Sequence, residues 1–463
     1  MRIPRARKQK TRAKASPKKD GPKPARAKVS KQTPDEQLLW TITIALFAAG
    51  AVMVYSASSG NAALAVGGDP TGYLKRYLII GAAGLLIMRF ASRIDLNRVR
   101  ELTPLLLMAA FGMLVLVLLP GFGVEVNGAR RWLGAGILRF QPSEVMKIAL
   151  VLYAAMLIAQ NPKRVQSIGS LANPLFYVIA AACGLIMLQP DMGTDLVICS
   201  TLGLLLVAAG AQMKDLAKVV GVLAVLVLLM SVLEPYRMAR LTSFLNPDHD
   251  PTGAGYQSSQ ARIAIGSGGI FGVGLGESVQ KIHYMPEAHT DMILAVIGEE
   301  LGLMGIGVLA TLYTGLIFVG LRAAKNSRDI YARLLAVGIT SMLASQALLN
   351  FFAVLGMAPL TGVPLPFISY GGANLIIMLS AMGLLINVAS GRHQARVRVI
   401  RGGGRSATHQ KSRPHSQRKV AAAGAGSGSA GSRSPSRPRG GHNENRRRSG
   451  GNGRSRRSGP GSR

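Results

Sequence analysis

The sequence predicts an all-α polytopic membrane protein with about ten transmembrane helices, both termini cytoplasmic, and a large external loop between helices 7 and 8. Three observations carry that prediction. Hydrophobic residues make up 49% of the 463 and charged residues only 16%, with a mean hydropathy of +0.29. The apolar residues fall in runs close to the length that a bilayer demands of a helix. Charge is segregated: of 54 Lys and Arg, about thirty lie before Trp40 or after Gly391, which accounts for most of the formal +33. The apolar body is therefore close to neutral.

Residues 1–36 form a Lys/Arg/Pro/Ala-rich arm with almost nothing to bury, expected to be disordered and cytoplasmic. A secretory signal would place a short basic region directly before its apolar core; here a long polar stretch comes first, so the first apolar run is expected to stay in the protein. The transmembrane domain, 37–391, contains runs near 38–57, 73–90, 102–120, 143–160, 174–188, 194–211, 217–234, 290–321, 331–357 and 372–390. With the arm in the cytoplasm, Arg93, Arg98, Arg100, Lys163, Arg164, Lys214, Lys218, Arg322, Lys325 and Arg328 share its side, as the positive-inside rule requires. An even number of spans follows. Residues 392–463 form a Gly/Ser/Arg-rich tail, also expected to be disordered and cytoplasmic; a polybasic segment beside a membrane meets anionic lipid or a partner more often than nucleic acid. Cys183 and Cys199 sit in apolar runs as small core residues, and no Cys/His cluster has zinc spacing.

Three connections on the external face, 121–142, 235–289 and 358–371, break the charge rule by holding Arg130, Arg131, Arg139, Arg237, Arg240, Arg262 and Lys281. They suggest an anionic ligand. Arg130 and Arg131 beside Trp132 suit a diphosphate bound bidentately, or equally headgroups and an interfacial aromatic belt. Glu144 and Lys147, three apart, share a helix face, either neutralising each other or lining a polar cavity. The glycine-dense stretch 265–276 lacks a P-loop ending and is expected to allow close backbone approach; prolines 359, 364 and 366 argue for a broken, re-entrant connection. Asp291 stands where a polar loop enters an apolar helix, a functional position more than a simple cap. Glu299 lies about 12 Å further along that helix and about 80° round, and Glu300 faces the opposite side, so neither forms a close glycosidase dyad with Asp291. Both are expected to bond other segments.

Gly128-Ala-Arg-Arg-Trp-Leu133 with Gln141-Pro-Ser-Glu144, then Gln189-Pro-Asp-Met-Gly-Thr194, Tyr284-Met-Pro-Glu-Ala-His-Thr-Asp291 with Ile297-Gly-Glu-Glu-Leu-Gly302, and Pro364-Leu-Pro-Phe-Ile-Ser-Tyr-Gly-Gly372 resemble the SEDS family (shape, elongation, division and sporulation) in order over the body. Arg240-Leu-Thr-Ser-Phe-Leu-Asn-Pro247 and Ser278-Val-Gln-Lys281 favour its division branch. The resemblance implies a multi-pass bacterial plasma-membrane enzyme at the division septum, a glycosyltransferase that polymerises lipid II into peptidoglycan alongside a class b penicillin-binding protein and other division proteins. It places the catalytic aspartate on Asp291 and the cavity acid and lysine on Glu144 and Lys147. Arg130, Arg131, Arg240, Lys281 and His289 complete the candidate substrate-binding set. A divalent cation such as Mg2+ or Mn2+ could share the diphosphate charge, although no carboxylate cluster marks a site. Gly371-Gly-Ala-Asn374 and Met292 depart from the family's usual wording. The same cavity would also serve a lipid II flippase, and a non-catalytic division scaffold would leave Asp291 dispensable.

Overall fold

The computed structural model describes residues 33–64, 69–126, 129–134, 139–162, 172–218, 221, 238, 242–245, 255–282, 285 and 288–391. The basic tail, nearly all of the basic arm, most of the seventh apolar run, Arg237 and Arg240 lie outside them.

The remaining nine apolar runs coincide with helices. These are α1 (Pro34–Leu64), α2 (Gly72–Ala91), α3 (Leu96–Leu118), α4 (Pro142–Gln160), α5 (Tyr177–Met187, preceded by a π-helical turn, Ala172–Phe176) and α6 (Met192–Ala208). After α7 (Tyr256–Gly268) come α8 (Ile293–Asn326), α9 (Ile330–Val354) and α10 (Gly372–Ala389). Six of these, α1, α3, α4, α8, α9 and α10, are long and apolar enough to cross a membrane. Two features were not expected: α7 inside the 235–289 connection, and a hairpin of β1 (Gly123–Val126) and β2 (Ala129–Leu133) inside the 121–142 connection.

Polar residues set the helix ends. Asp95, Asp191 and Asp329 accept from the amides of Asn97, Thr194 and Ala332 to cap α3, α6 and α9, while Pro142 opens α4 where no amide is needed. Helices α4, α9 and α10 form the centre, with most of their residues buried. The periphery exposes Ile79, Leu86 and Phe90 of α2, Leu102, Leu105 and Met108 of α3, and Leu303, Met304 and Val308 of α8. So large an apolar exterior is stable against lipid tails and not against water.

Following the chain up and down through these helices gathers Arg93, Arg98, Arg100, Arg322, Lys325 and Arg328 at one end. That end is tied by the Arg322–Asp35 ion pair between α8 and α1, and by Asn387 of α10, whose side chain donates to the carbonyls of Ala91 and Ile94 at 3.0 and 2.7 Å. The hairpin, the turn before α6, the start of α8 and the 355–371 connection lie at the other end.

Helix α8 is broken at Gly302 (φ 65, ψ −164). In a continuous helix the amides of Leu303 and Met304 would bond the carbonyls of Glu299 and Glu300. Here those amides donate to Gly269 and Ile270 at 3.0 and 3.1 Å, and the two carbonyls accept from Val273 and Gly274 at 3.0 and 3.1 Å. The glycine-dense segment therefore supplies new partners for these two amides and two carbonyls, as a membrane interior demands. A Cβ at Gly302 would lie 2.4 Å from the Gly272 nitrogen, and one at Gly272 2.1 Å from the Glu300 carbonyl oxygen, so neither position tolerates a side chain.

Candidate functional site

Asp291 is partly buried, two residues before α8 begins, at the end opposite the basic loops. Thr290 Oγ1 donates to its Oδ1 at 3.2 Å, and its Oδ2 lies 3.8 Å from where a Cβ of Gly362 would be. The Asn350 side-chain nitrogen on α9 donates to two carbonyls, those of Asp291 and Val363, each at 2.8 Å. One amide thus fixes the acid's backbone against the 355–371 connection. Beside it the ring of His289 packs on Tyr73 of α2, centroids 4.4 Å apart, and on Tyr370 at 5.6 Å, while the Tyr370 amide donates to the His289 carbonyl at 2.9 Å.

The 355–371 connection is the broken, re-entrant segment its prolines announced. It contains no regular helix, yet its carbonyls find side-chain donors. Gln346 and Asn350 serve Pro364 and Val363 at 2.8 Å each, and the hydroxyls of Tyr313 and Tyr77 serve Pro366 and Phe367. Irregular backbone at membrane depth survives only with such partners. Phe367, 1% exposed, is held at φ 67, a conformation costly for a residue with a Cβ, which shows how strongly its surroundings determine it.

The structure disperses the predicted substrate-binding residues. Glu144 and Lys147 pair at 2.9 Å, each 3% exposed; Asn374 Nδ2 donates to Glu144 at 3.0 Å and Lys147 donates to Gln346 Oε1 at 2.9 Å. Through Gln346 this pair supports the re-entrant connection. Arg131 donates to the carbonyls of Gln189 (2.9 Å) and Pro190 and so holds the turn before α6, and Arg130 pairs at 3.2 Å with Glu125 across the hairpin. Lys281 is 3% exposed, with its ammonium on Glu300 Oε1 and the Gly276 carbonyl, both at 2.7 Å, and on Ser56 Oγ at 3.2 Å. Glu299 accepts from the Ser278 hydroxyl and from the amides of Val279 (3.0 Å) and Gln280 (3.4 Å), so both helix acids bind other segments as expected. Only His289 of the described set shares the immediate surroundings of Asp291. Cys183 and Cys199 are free thiols.

Sequence reasoning missed Asn350, Gln346 and the meeting of two motifs at Asp191, whose Oδ2 accepts from Gln141 (2.9 Å) and Ser143 (3.1 Å). A signal for the amides existed: residues 346 and 350 are four apart on a mostly apolar helix, hence on one face. Asn350→Leu is expected to lower stability by about 1–3 kcal/mol for each carbonyl left unpaired. Thermal melting of the purified protein in detergent checks this, and an unchanged melting temperature would contradict the bridging role.

Among the described residues, no group of three or more His, Cys, Asp or Glu side chains gathers to hold a metal ion.

Residues 36–394 match the family model described as "Cell cycle protein". The chain is 40% identical over 362 residues to "Stage V sporulation protein E" of Bacillus subtilis, covering 78% of this chain and 98% of that protein. It is 41% identical over 354 residues to "Probable peptidoglycan glycosyltransferase FtsW" of Trichlorobacter lovleyi, covering 76% and 93%. Among solved structures, one chain from work described as "Structural coordination of polymerization and crosslinking by a peptidoglycan synthase complex" superposes with a TM-score of 0.64 at 30% identity, covering 77% of this chain and 98% of that one. The Thermus thermophilus rod shape determining protein RodA gives 0.56 at 28% identity, covering 77% and 96%. With one model spanning the whole transmembrane body and relatives matched over nearly their full length, the chain belongs to the FtsW/RodA/SpoVE family of cell cycle proteins, the SEDS family that its motifs resemble.

Proposed function

We propose that this multi-pass membrane protein is a peptidoglycan glycosyltransferase of the division type, polymerising lipid II into glycan strands with Asp291 as general base. One observation carries the assignment of the base: a partly buried carboxylate stands at the outer end of the bundle, and Asn350 fixes its backbone against a re-entrant loop. The relatives named as peptidoglycan glycosyltransferases support the reaction class.

In the reaction, the 4-hydroxyl of the acceptor sugar gives its proton to Asp291 as its oxygen attacks the anomeric carbon of the donor. The bond from that carbon to the diphosphate breaks, and its electron pair leaves with undecaprenyl diphosphate. A base must approach within about 3 Å of the hydroxyl, which a partly exposed side chain at a loop–helix junction can do. Displacement is direct, because neither Glu299 nor Glu300 is placed as a second carboxylate: both are bonded to other segments. The anomeric configuration therefore inverts. A divalent cation such as Mg2+ or Mn2+ would be held largely by the substrate's own phosphate oxygens and would supply charge neutralisation.

The partner is a class b penicillin-binding protein transpeptidase, working with other division proteins at the septum. The superposition with a chain of a peptidoglycan synthase complex supports a synthase assembly. Purified protein with that transpeptidase, given labelled lipid II, is expected to yield glycan strands with inverted linkages. Scrambling of lipid II across proteoliposomes without strand formation would instead identify a flippase, and neither activity would leave a scaffold.

A further inference from the structure

The polymerase reading places negative charge on the departing diphosphate, and among the described residues the structure engages four of the candidate cations elsewhere. Arg130 is paired with Glu125, Arg131 caps two carbonyls, and Lys147 and Lys281 are buried in ion pairs with Glu144 and Glu300. A buried, paired ammonium cannot turn to a substrate without abandoning a carboxylate in a dry interior, at several kcal/mol.

We propose that Arg262 of α7 is the residue that receives the diphosphate of the lipid-linked donor, an inference that rests on the glycosyltransferase reading above. Arg262 is exposed, and its guanidinium lies against Gly356, where a Cβ would stand 2.9 Å from Nε and 3.0 Å from Nη2. Gly356 (φ 73) follows the C-terminal end of α9 and leads into the re-entrant connection. Gly362 (φ 70), six residues on, borders the Asp291 carboxylate. The guanidinium and the acid therefore border the same connection at positions six residues apart.

Asn350, which holds the Asp291 carbonyl, lies four residues before the end of α9, and Gly356 lies two residues past that end. A base and a group that receives the diphosphate must flank the acceptor hydroxyl and the anomeric carbon, with about 3 Å for each step. Arg262 is also on a fixed element. Ala261 and Ala264 of α7 are buried, and Gly268 closes against α8 so tightly that a Cβ there would lie 2.0 Å from the Gly298 carbonyl oxygen. A guanidinium on a rigid helix offers two parallel donors to phosphate oxygens. The competing role is structural: an arginine near the end of α9 complements its last carbonyls.

The test uses the full chain with its transpeptidase, and farnesyl diphosphate as a soluble mimic of the leaving group. Arg262→Gln is expected to lower polymerisation about a hundredfold, as loss of one charge-stabilising donor does, and to weaken inhibition by farnesyl diphosphate at least about tenfold. Arg262→Lys should recover part of both, since it keeps the charge without the fork. Stabilisation of the melting temperature by farnesyl diphosphate, present in the wild type and lost in Arg262→Gln, reads binding independently of turnover. Wild-type polymerisation and inhibition in Arg262→Gln, while Asp291→Asn is inactive, would overturn this inference alone. A lowered melting temperature with unchanged inhibition would assign Arg262 to the end of α9 and equally overturn it. An active Asp291→Asn would instead remove the general-base reading on which it rests.

Discussion

Substituting Asp291 with Asn is expected to reduce lipid II polymerisation about a thousandfold while leaving the fold intact. The amide matches the carboxylate in shape and can still accept from Thr290 at Oδ1, and the Asn350 bond goes to the backbone carbonyl, which the substitution does not touch. What is lost is the capacity to take a proton. Asp291→Glu separates charge from placement: it keeps the base but moves it by about one bond length, and an error of about 1 Å in a reacting group costs about a hundredfold. The expected order is wild type, then Glu, then Asn, measured as strand formation at equal melting temperature. Full activity of the Asn variant would remove Asp291 from the mechanism.

That acid was legible before any coordinates because burying charge in a bilayer is costly, and because its setting, a polar loop running into an apolar helix, is local. The helices were legible for a related reason: a bilayer fixes their length, so nine of the ten runs coincide with helices among the described residues. The Glu144–Lys147 pair was legible because helix geometry brings residues three apart together. The same rule is silent about Lys281 and Glu300, which meet only because α8 breaks at Gly302 and a distant segment fills the gap. Glycine density at 265–276 announced close approach without naming what is approached. Helix α7 was hidden because thirteen residues with few large apolar side chains resemble neither a span nor a strongly amphipathic helix. Which cations remain available to a substrate was likewise invisible, since Arg131 is engaged by carbonyls more than fifty residues away.

The Lys281–Glu300 pair gives the largest expected effect on stability. Its side chains are 3% and 0% exposed, and the ammonium serves three acceptors: Glu300 Oε1, the Gly276 carbonyl and Ser56 Oγ. Lys281→Met leaves Glu300 with the Ser56 hydroxyl alone and should destabilise the protein by about 3–5 kcal/mol, the consequence of an uncompensated buried charge. If charge isolation is the cause, removing the second charge must reverse much of the loss. Lys281→Met combined with Glu300→Gln should therefore melt well above Lys281→Met alone, a non-additive result that neighbours in one network produce and independent sites do not. The double variant separates stability from placement as well. Ser278, Val279 and Gln280 remain bonded to Glu299, so the segment inserted at the helix break stays docked, and polymerisation should return with the melting temperature. If the double variant melts no higher than the single, the energy resides in the lysine's bonds to Gly276 and Ser56, and the ion pair contributes little of its own.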